Sequence, residues 1–166
     1  MSAYSEQILD GLKAQILAEF GGAPANSSGV ALTSGQISCY PPPETERPPG
    51  LYIWWDTIDV ELDSLPYQLM VGTVSVFFGF AASSGGRATM YSQAQRVLQD
   101  LRVALDMNRQ LTGRGPGAGG AWSPIRVREL RTTAAAPALG TVQGGGAAIH
   151  GAISIRVEWN EPAVPS

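Results

Sequence analysis

The 166-residue sequence predicts one α+β domain, in which two helices cover one face of a mixed, mostly antiparallel sheet of four to five strands. Three observations predict this fold class. Two stretches repeat apolar residues at three- and four-residue spacing, which is typical of amphipathic helices. Other stretches place apolar residues at alternate positions, as half-buried strands do. Turns or loops join most of these strands, which favours antiparallel pairing. The expected order is α-β-β-(β)-α-β-β.

The clearest strand spans residues 146–159. One parity is apolar apart from a glycine, and its members are Ile149, Gly151, Ile153, Ile155, Val157 and Trp159. The other parity is small or polar. Because successive strand side chains point to opposite faces, this strand has one face that must be covered. We expect one domain over residues 1–160, and a tail, residues 161–166, outside the sheet.

The two helices are predicted at Tyr4–Phe20 and Thr89–Leu111. The apolar stripe of the first contains Ile8, Leu9, Leu12, Ile16, Leu17 and Phe20, and that of the second contains Met90, Ala94, Val97, Leu98, Leu101 and Leu105. In the second helix, Arg96, Asp100 and Arg102 are expected to point away from the stripe.

Three further stretches predict the rest of the sheet. Leu51–Leu62 predicts a strand whose parity gives one apolar face, made of Tyr52, Trp54, Ile58, Val60 and Leu62. The other face of this strand starts apolar and turns acidic. Tyr67–Ala82 predicts one strand or a pair. Because both parities are apolar, we expect a central strand, or an edge that is buried against another subunit. Pro124–Arg131 predicts one more strand.

Long connections separate these elements. Residues 21–50 form a Pro/Gly-rich insertion, with a short strand expected within Ala31–Tyr40. Residues 112–121 and 133–146 are further connections rich in glycine or alanine. Connections of this length in a compact domain are usually functional or disordered, and a surface loop without a specific role is the alternative for the insertion.

Composition and motifs favour a protein that is not an enzyme. The net charge of -3 gives no general affinity for nucleic acid. Cys39 is the only cysteine and His150 the only histidine, so intramolecular disulfides and histidine-rich metal sites are excluded. The sequence contains no phosphate-binding loop, dinucleotide-binding fingerprint or nucleophile elbow. No secretory signal or membrane-spanning run is visible. We expect no catalytic residue, cofactor, metal or membrane partner.

The candidate functional residues are four carboxylates and a set of aromatic and basic residues. The carboxylates are Asp56, Asp59, Glu61 and Asp63. Their spacing lacks the pattern of an EF-hand. A row of this kind is usually solvated, or it presents a negative surface that repels DNA. The other candidates, for a subunit interface, are Trp54, Trp55, Trp122, Arg126 and Arg128. For the tryptophans, the alternative is packing in the core. The arginines could contact phosphate, or they could pair with an acidic row on this chain or on a neighbour.

Four stretches, in this order, resemble the tail terminator (tail completion) proteins of long-tailed bacteriophages, the lambda-type minor tail protein family. They are the helix SEQILDGLKAQILAEF; Leu65-Pro66-Tyr67 before an apolar strand; TVSVFFGFAA with a glycine turn and the helix SQAQRVLQDLRVAL; and the strand GAISIRVEW. The resemblance covers most of residues 4–159, except 21–50 and 112–121. It lies in the order of the elements and not in an invariant motif, and the Pro-rich insertion departs from shorter relatives.

The resemblance implies a protomer of a hexameric ring at the head-proximal end of the virion tail, assembled in the host cytoplasm. Such a ring ends polymerisation of the tail tube and provides the joint to the head connector. The implied partners are further copies of the chain, the tube protein and a connector or head-closure protein, with DNA only in transit through the lumen. No catalytic residue is carried over. We hypothesise that Asp56, Asp59, Glu61 and Asp63 face the lumen or a ring interface.

Three other classes of function stay open at this point. The first is another structural protein of the head–tail neck or the tail tube. Sizing of the purified protein separates a tube subunit from a terminator, because tube subunits polymerise end to end whereas a terminator stays as one ring. The second is a small enzyme, which the single histidine and single cysteine disfavour. The third is a binding module of cellular origin.

Overall fold

A computed structural model describes residues 3–21, 28–42, 50–64, 66–81, 87–106, 126–134, 138–141 and 147–162. The described helices are α1 (Ala3–Phe20) and α2 (Arg87–Asp106). The described strands are β1 (Ile37–Ser38), β2 (Gly50–Ser64), β3 (Tyr67–Ala81), β4 (Arg126–Ala134), β5 (Ala138–Thr141) and β6 (Ala147–Pro162). Neither of these helices is long and apolar enough to span a membrane.

The strands form one sheet in the spatial order β1-β2-β3-β6-β4, and β5 pairs with β6 further along that strand. The β1–β2 contact is parallel, and the other pairings are antiparallel. The predicted α+β class with a mixed, mostly antiparallel sheet is confirmed, and β3 is central as expected. Two short strands, β1 and β5, bring the described total to six. The sequence pattern missed β5 because four residues are too few to show a period.

Both helices pack on the same face of the sheet, as predicted. One core cluster joins them to the strands; its fully buried members include Ile8, Leu12, Ile16, Phe20, Val97, Leu101, Leu105, Leu51, Ile53, Val74, Val76, Phe78, Ile153, Ile155, Val157 and Trp159. The apolar parity of β6 therefore faces the helices. Each large apolar side chain buried in this way contributes about 1.5–3 kcal/mol relative to an exposed one.

A β-bulge in β2 exchanges the faces that the sequence predicts for this strand. The register with β3 shifts between Trp55 and Thr57, which leaves Asp56 as an extra residue. Before the bulge, Ile53 and Trp55 pair with residues of the core face of β3, and after it Ile58 packs against the same core. The predicted single apolar face is therefore wrong, because a bulge moves the following residues to the opposite parity.

The end of β6 also differs from the prediction. The strand continues to Pro162, which pairs with Tyr67, so the expectation that the tail leaves the sheet after residue 160 is wrong for two residues. Glu161 is buried, and its Oε2 accepts a hydrogen bond from Trp159 Nε1 at 3.3 Å. A proline is tolerated here because the last residue of a ladder need not donate a hydrogen bond. Residues 163–166 lie outside the described part.

The described part of the insertion is tied to both helices. Leu32 is buried, and its N–H donates to Phe20 O at 2.8 Å. The Ser28 N–H donates to Asp100 Oδ2 at 2.9 Å. Asp100 is 4% exposed, so the expectation that it points outward from α2 is wrong. A buried carboxylate needs such hydrogen bonds to offset its lost hydration. The short strand expected within Ala31–Tyr40 is present as β1.

Replacing Gly72 with alanine should destabilise the fold. An added Cβ would lie 2.8 Å from Thr57 O and 2.9 Å from Trp55 Cε3, so the bulge and the indole must both move. We expect a loss of about 1–3 kcal/mol in the free energy of unfolding, measured by urea denaturation. The matched control is Gly35→Ala, where the nearest atom, Thr33 Oγ1, is 4.0 Å away. Equal denaturation midpoints for the two variants would contradict this explanation.

Candidate oligomer interface on the outer face of the sheet

The outer face is the face of the sheet opposite the helices, and no described helix covers it. Register places its side chains in four rungs across β2, β3 and β6. In order, the rungs are Tyr52–Phe77–Ala152, Trp54–Ser75–Ser154, Thr57–Thr73–Arg156 and Asp59–Val71–Glu158. The face therefore changes from aromatic at one end to charged at the other.

The aromatic end continues beyond the first rung on both sides. Tyr40 contacts Tyr52 with ring centroids 6.0 Å apart, and Phe77 stacks on His150 at 5.7 Å and 26°. We call Tyr40, Tyr52, Phe77 and His150 the aromatic row. Tyr40 is 58% exposed and Phe77 is half-buried, as is Trp54 in the next rung. Aromatic side chains at a protein surface are enriched in protein interfaces.

Among the described side chains of β2, β3 and β6, the charged end of the outer face carries more acidic than basic groups. Arg126, Glu129 and Arg131 of β4 continue this face, because they pair with Asn160, Glu158 and Arg156, but their side chains are not described. Asp56, Asp59 and Glu61 are exposed, and Asp56 accepts a hydrogen bond from Ser75 Oγ. Arg156 is the only basic side chain in the four rungs, and it pairs with Glu158 at 2.9 Å. An ion pair this exposed contributes at most about 1 kcal/mol. The described acidic side chains are therefore concentrated at the β2 edge of this end of the face.

Two of the carboxylates also occupy bulges on an open edge. Asp56 and Glu61 are the extra residues at the two register shifts of β2. Within the described residues, β1 pairs only with Leu51 and Tyr52, so the rest of β2 has no strand on that side. Charges and bulges on such an edge discourage unwanted pairing with another strand. This protection is a structural role for the acidic residues that needs no partner.

The two adjacent tryptophans lie on opposite faces of the sheet. Trp54 is in the second rung of the outer face. Trp55 faces the helices: its Nε1 donates to Ser5 O at 3.1 Å, and its ring lies 5.1 Å from that of Trp159. Trp55 thus packs with the core, and Trp54 is the one of the pair that is placed to meet a partner.

The other predicted site residues fall wholly or partly outside the described residues. Asp63, on β2, pairs with Gln68 of β3, but the side chain of Asp63 is not described. Arg126 and Arg128 belong to β4, and the register shifts between Val127 and Glu129; their side chains are not described either. Trp122 lies outside the described residues. The structure therefore brings together Trp54, Asp56, Asp59 and Glu61 on one strand.

Sequence reasoning did not place Tyr40, Phe77 or His150 at an interface. Phe77 and His150 are on different strands, and only the register between β3 and β6 brings them together. Tyr40 follows β1, whose parallel pairing with β2 places it near Tyr52. Alternating patterns give the face of one strand and not its neighbours, so no local signal identifies this row. Among the described residues, no group of three or more His, Cys, Asp or Glu is placed to hold a metal ion.

Alkylation of Cys39 should be slow in the folded protein. The residue is half-buried; burial raises the pKa of its thiol, and Asp10 adds to this effect while Lys13 opposes it. A raised pKa means that less thiolate, the reactive form, is present at neutral pH. We expect iodoacetamide to react more slowly than after unfolding in urea, with the folded rate rising at higher pH than for a free thiol. Equal rates in the two states would contradict this.

Exchange of the adjacent tryptophans for phenylalanine should separate their roles. Trp55→Phe removes the indole donor to Ser5 O, so we expect a loss of about 1 kcal/mol in the free energy of unfolding. Trp54→Phe is the matched control and should change it by less than about 0.5 kcal/mol. Chemical denaturation of the monomer measures both. The explanation is wrong if Trp54→Phe is the more destabilising change.

A scan against protein-family models finds no match, and a search of curated proteins finds no significant relative.

Proposed function

We propose that this chain is a structural protein of a long-tailed bacteriophage virion. In this proposal it forms a ring that caps the tail tube, ends tube polymerisation and provides the joint to the head connector. Its partners are further copies of itself, the tube protein and the connector or head-closure protein, and DNA passes through the lumen.

The observation that carries the proposal is the uncovered outer face. A sheet with apolar residues on both faces needs cover on both, and here the described helices cover only one. Trp54 and Phe77 are half-buried on the other face, beside exposed Asp56 and Asp59. An aromatic patch next to a negative one suits a specific protein partner better than bulk solvent.

A ring needs two different surfaces on each protomer. A closed ring with more than two members is built from heterologous contacts, in which one surface fits another on the neighbour. This protomer has a helical layer on one side and the graded outer face on the other. The acidic residues fit either of the two places hypothesised for them, the lumen or the contact between neighbours.

The deciding experiment is a capping assay. Tail tubes assembled from the tube protein of the same phage are mixed with the purified chain, and tube length is followed by electron microscopy. We expect tubes to stop elongating and to carry a ring at one end, because a terminator occupies the growing end. Light scattering on the free protein should then give either a discrete oligomer near six protomers or a monomer that forms the ring only on the tube.

The assay has two results that contradict the proposal. Tubes that continue to grow at the same rate would exclude a terminator. Open-ended polymers of the chain by itself would indicate a tube subunit instead. The control is the same mixture with the chain heat-unfolded, which should leave tube growth unchanged.

A further inference from the structure

The outward surface of α2 has the opposite charge to the β2 edge of the outer face, where Asp56 and Asp59 are exposed. Among the side chains that the structure describes as exposed on α2, the charged ones are Arg96 and Arg102. Asp100, which would offset them, is buried against the Ser28 N–H. Two of the exposed large apolar side chains, Tyr91 and Val103, are on the same helix, at 41% and 42% exposure.

These residues form one continuous stripe. Tyr91, Gln95, Gln99 and Val103 follow at four-residue spacing, and side chains three or four apart are neighbours on a helix. Arg96 and Arg102 lie three residues before and after Gln99, one on each side of it, and both are exposed. The exposed surface of α2 is thus a basic and partly apolar strip, about 18 Å long from Tyr91 to Val103 at the rise of an α-helix.

We propose that α2 of one copy docks on the outer face of the sheet of a second copy. Arg96 and Arg102 then meet Asp56 and Asp59, and the apolar side chains of the stripe cover Trp54 and its rung. The docked helix supplies the layer that the outer face lacks. This inference rests on the proposed ring, and it assigns the acidic residues to the contact between neighbours, not to the lumen.

Charge selects α2 over α1 as the docking helix. The charged side chains described as exposed on α1 are Glu6 and Asp10, both acidic. Placing them on an outer face that already carries Asp56 and Asp59 would set like charges against each other in a partly dehydrated contact. The same copy cannot satisfy its own outer face with α2, because α2 packs across the opposite face, against β6, β4 and β5. The contact is therefore heterologous, as a ring requires.

Crosslinking between single-cysteine variants tests the contact. In a Cys39→Ser background, Thr57→Cys places a thiol on the outer face and Gln99→Cys places one at the middle of the α2 stripe; both positions are exposed. The two variants are mixed in the presence of tail tubes, so that a ring that closes only on the tube is also sampled, and are treated with a bis-maleimide that has a flexible spacer. We expect a covalent dimer in the mixture and much less with either variant alone. The control pair is Thr57→Cys with Ala18→Cys, an exposed position on α1.

Charge-reversal variants test the same contact independently of any crosslinker. Arg96→Glu with Arg102→Glu, or Asp59→Arg alone, should each weaken self-association by roughly tenfold or more, and combining them should restore part of the loss. Circular dichroism and the urea midpoint show whether each variant folds. A crosslinking yield no higher than that of the α1 control pair, or charge variants that associate as well as the parent, would overturn the inference.

The outcomes separate this inference from the proposed function. If the chain caps tubes but Thr57 and Gln99 do not crosslink, the docking surfaces are wrong and the terminator proposal stands. If they crosslink but tubes continue to grow, the contact is real and the ring has another role.

Discussion

Strand β2 has one extra residue, Asp56, that has no partner in the register with β3. The side chains on both faces of the sheet depend on this β-bulge. In a regular strand, Trp55 and Ile58 would lie on opposite faces, and the core would lose one of them. The bulge places both toward the helices and sends the Asp56 carboxylate outward to Ser75. Gly72 completes the arrangement, because any side chain there would meet the Trp55 ring. The extra residue Asp56 and the absence of a side chain at Gly72 are therefore both needed for Trp55 to pack against the core.

The sequence predicts those parts of the fold whose pattern lies within one continuous stretch. Both helices and β6 are of this kind, since a period repeats many times in each. Parity failed in β2 because one inserted residue reverses every face that follows it. Asp100 was misplaced because its partner, Ser28, is 72 residues away in sequence. Of the candidate site, the acidic row was visible as a run of charge, whereas the pairing of Phe77 with His150 required the register of two distant strands.

The outer face combines two properties that a solvated sheet face rarely shows together. Its aromatic row exposes apolar surface, and its charged end carries groups that a partner would have to complement with the opposite charge. The bulges that carry Asp56 and Glu61 also keep β2 from pairing with a stray strand. Recognition through side chains and protection against edge-to-edge association therefore come from the same few residues. A partner that adds a strand to this edge is disfavoured, and one that lies across the face is favoured.

The position of β6 in the sheet affects how the chain folds during translation. It lies between β3 and β4, although residues 82–146 separate it from β3 along the chain. While the ribosome adds those residues, β3 is paired on one side only, and the apolar side chains Val74, Val76 and Phe78 lack their neighbours on β6. Pairing over such a distance is slow, and the open edge is prone to aggregate in the meantime. Every rung of the outer face includes a residue of β6, so the face is incomplete in a nascent chain until this strand has been made.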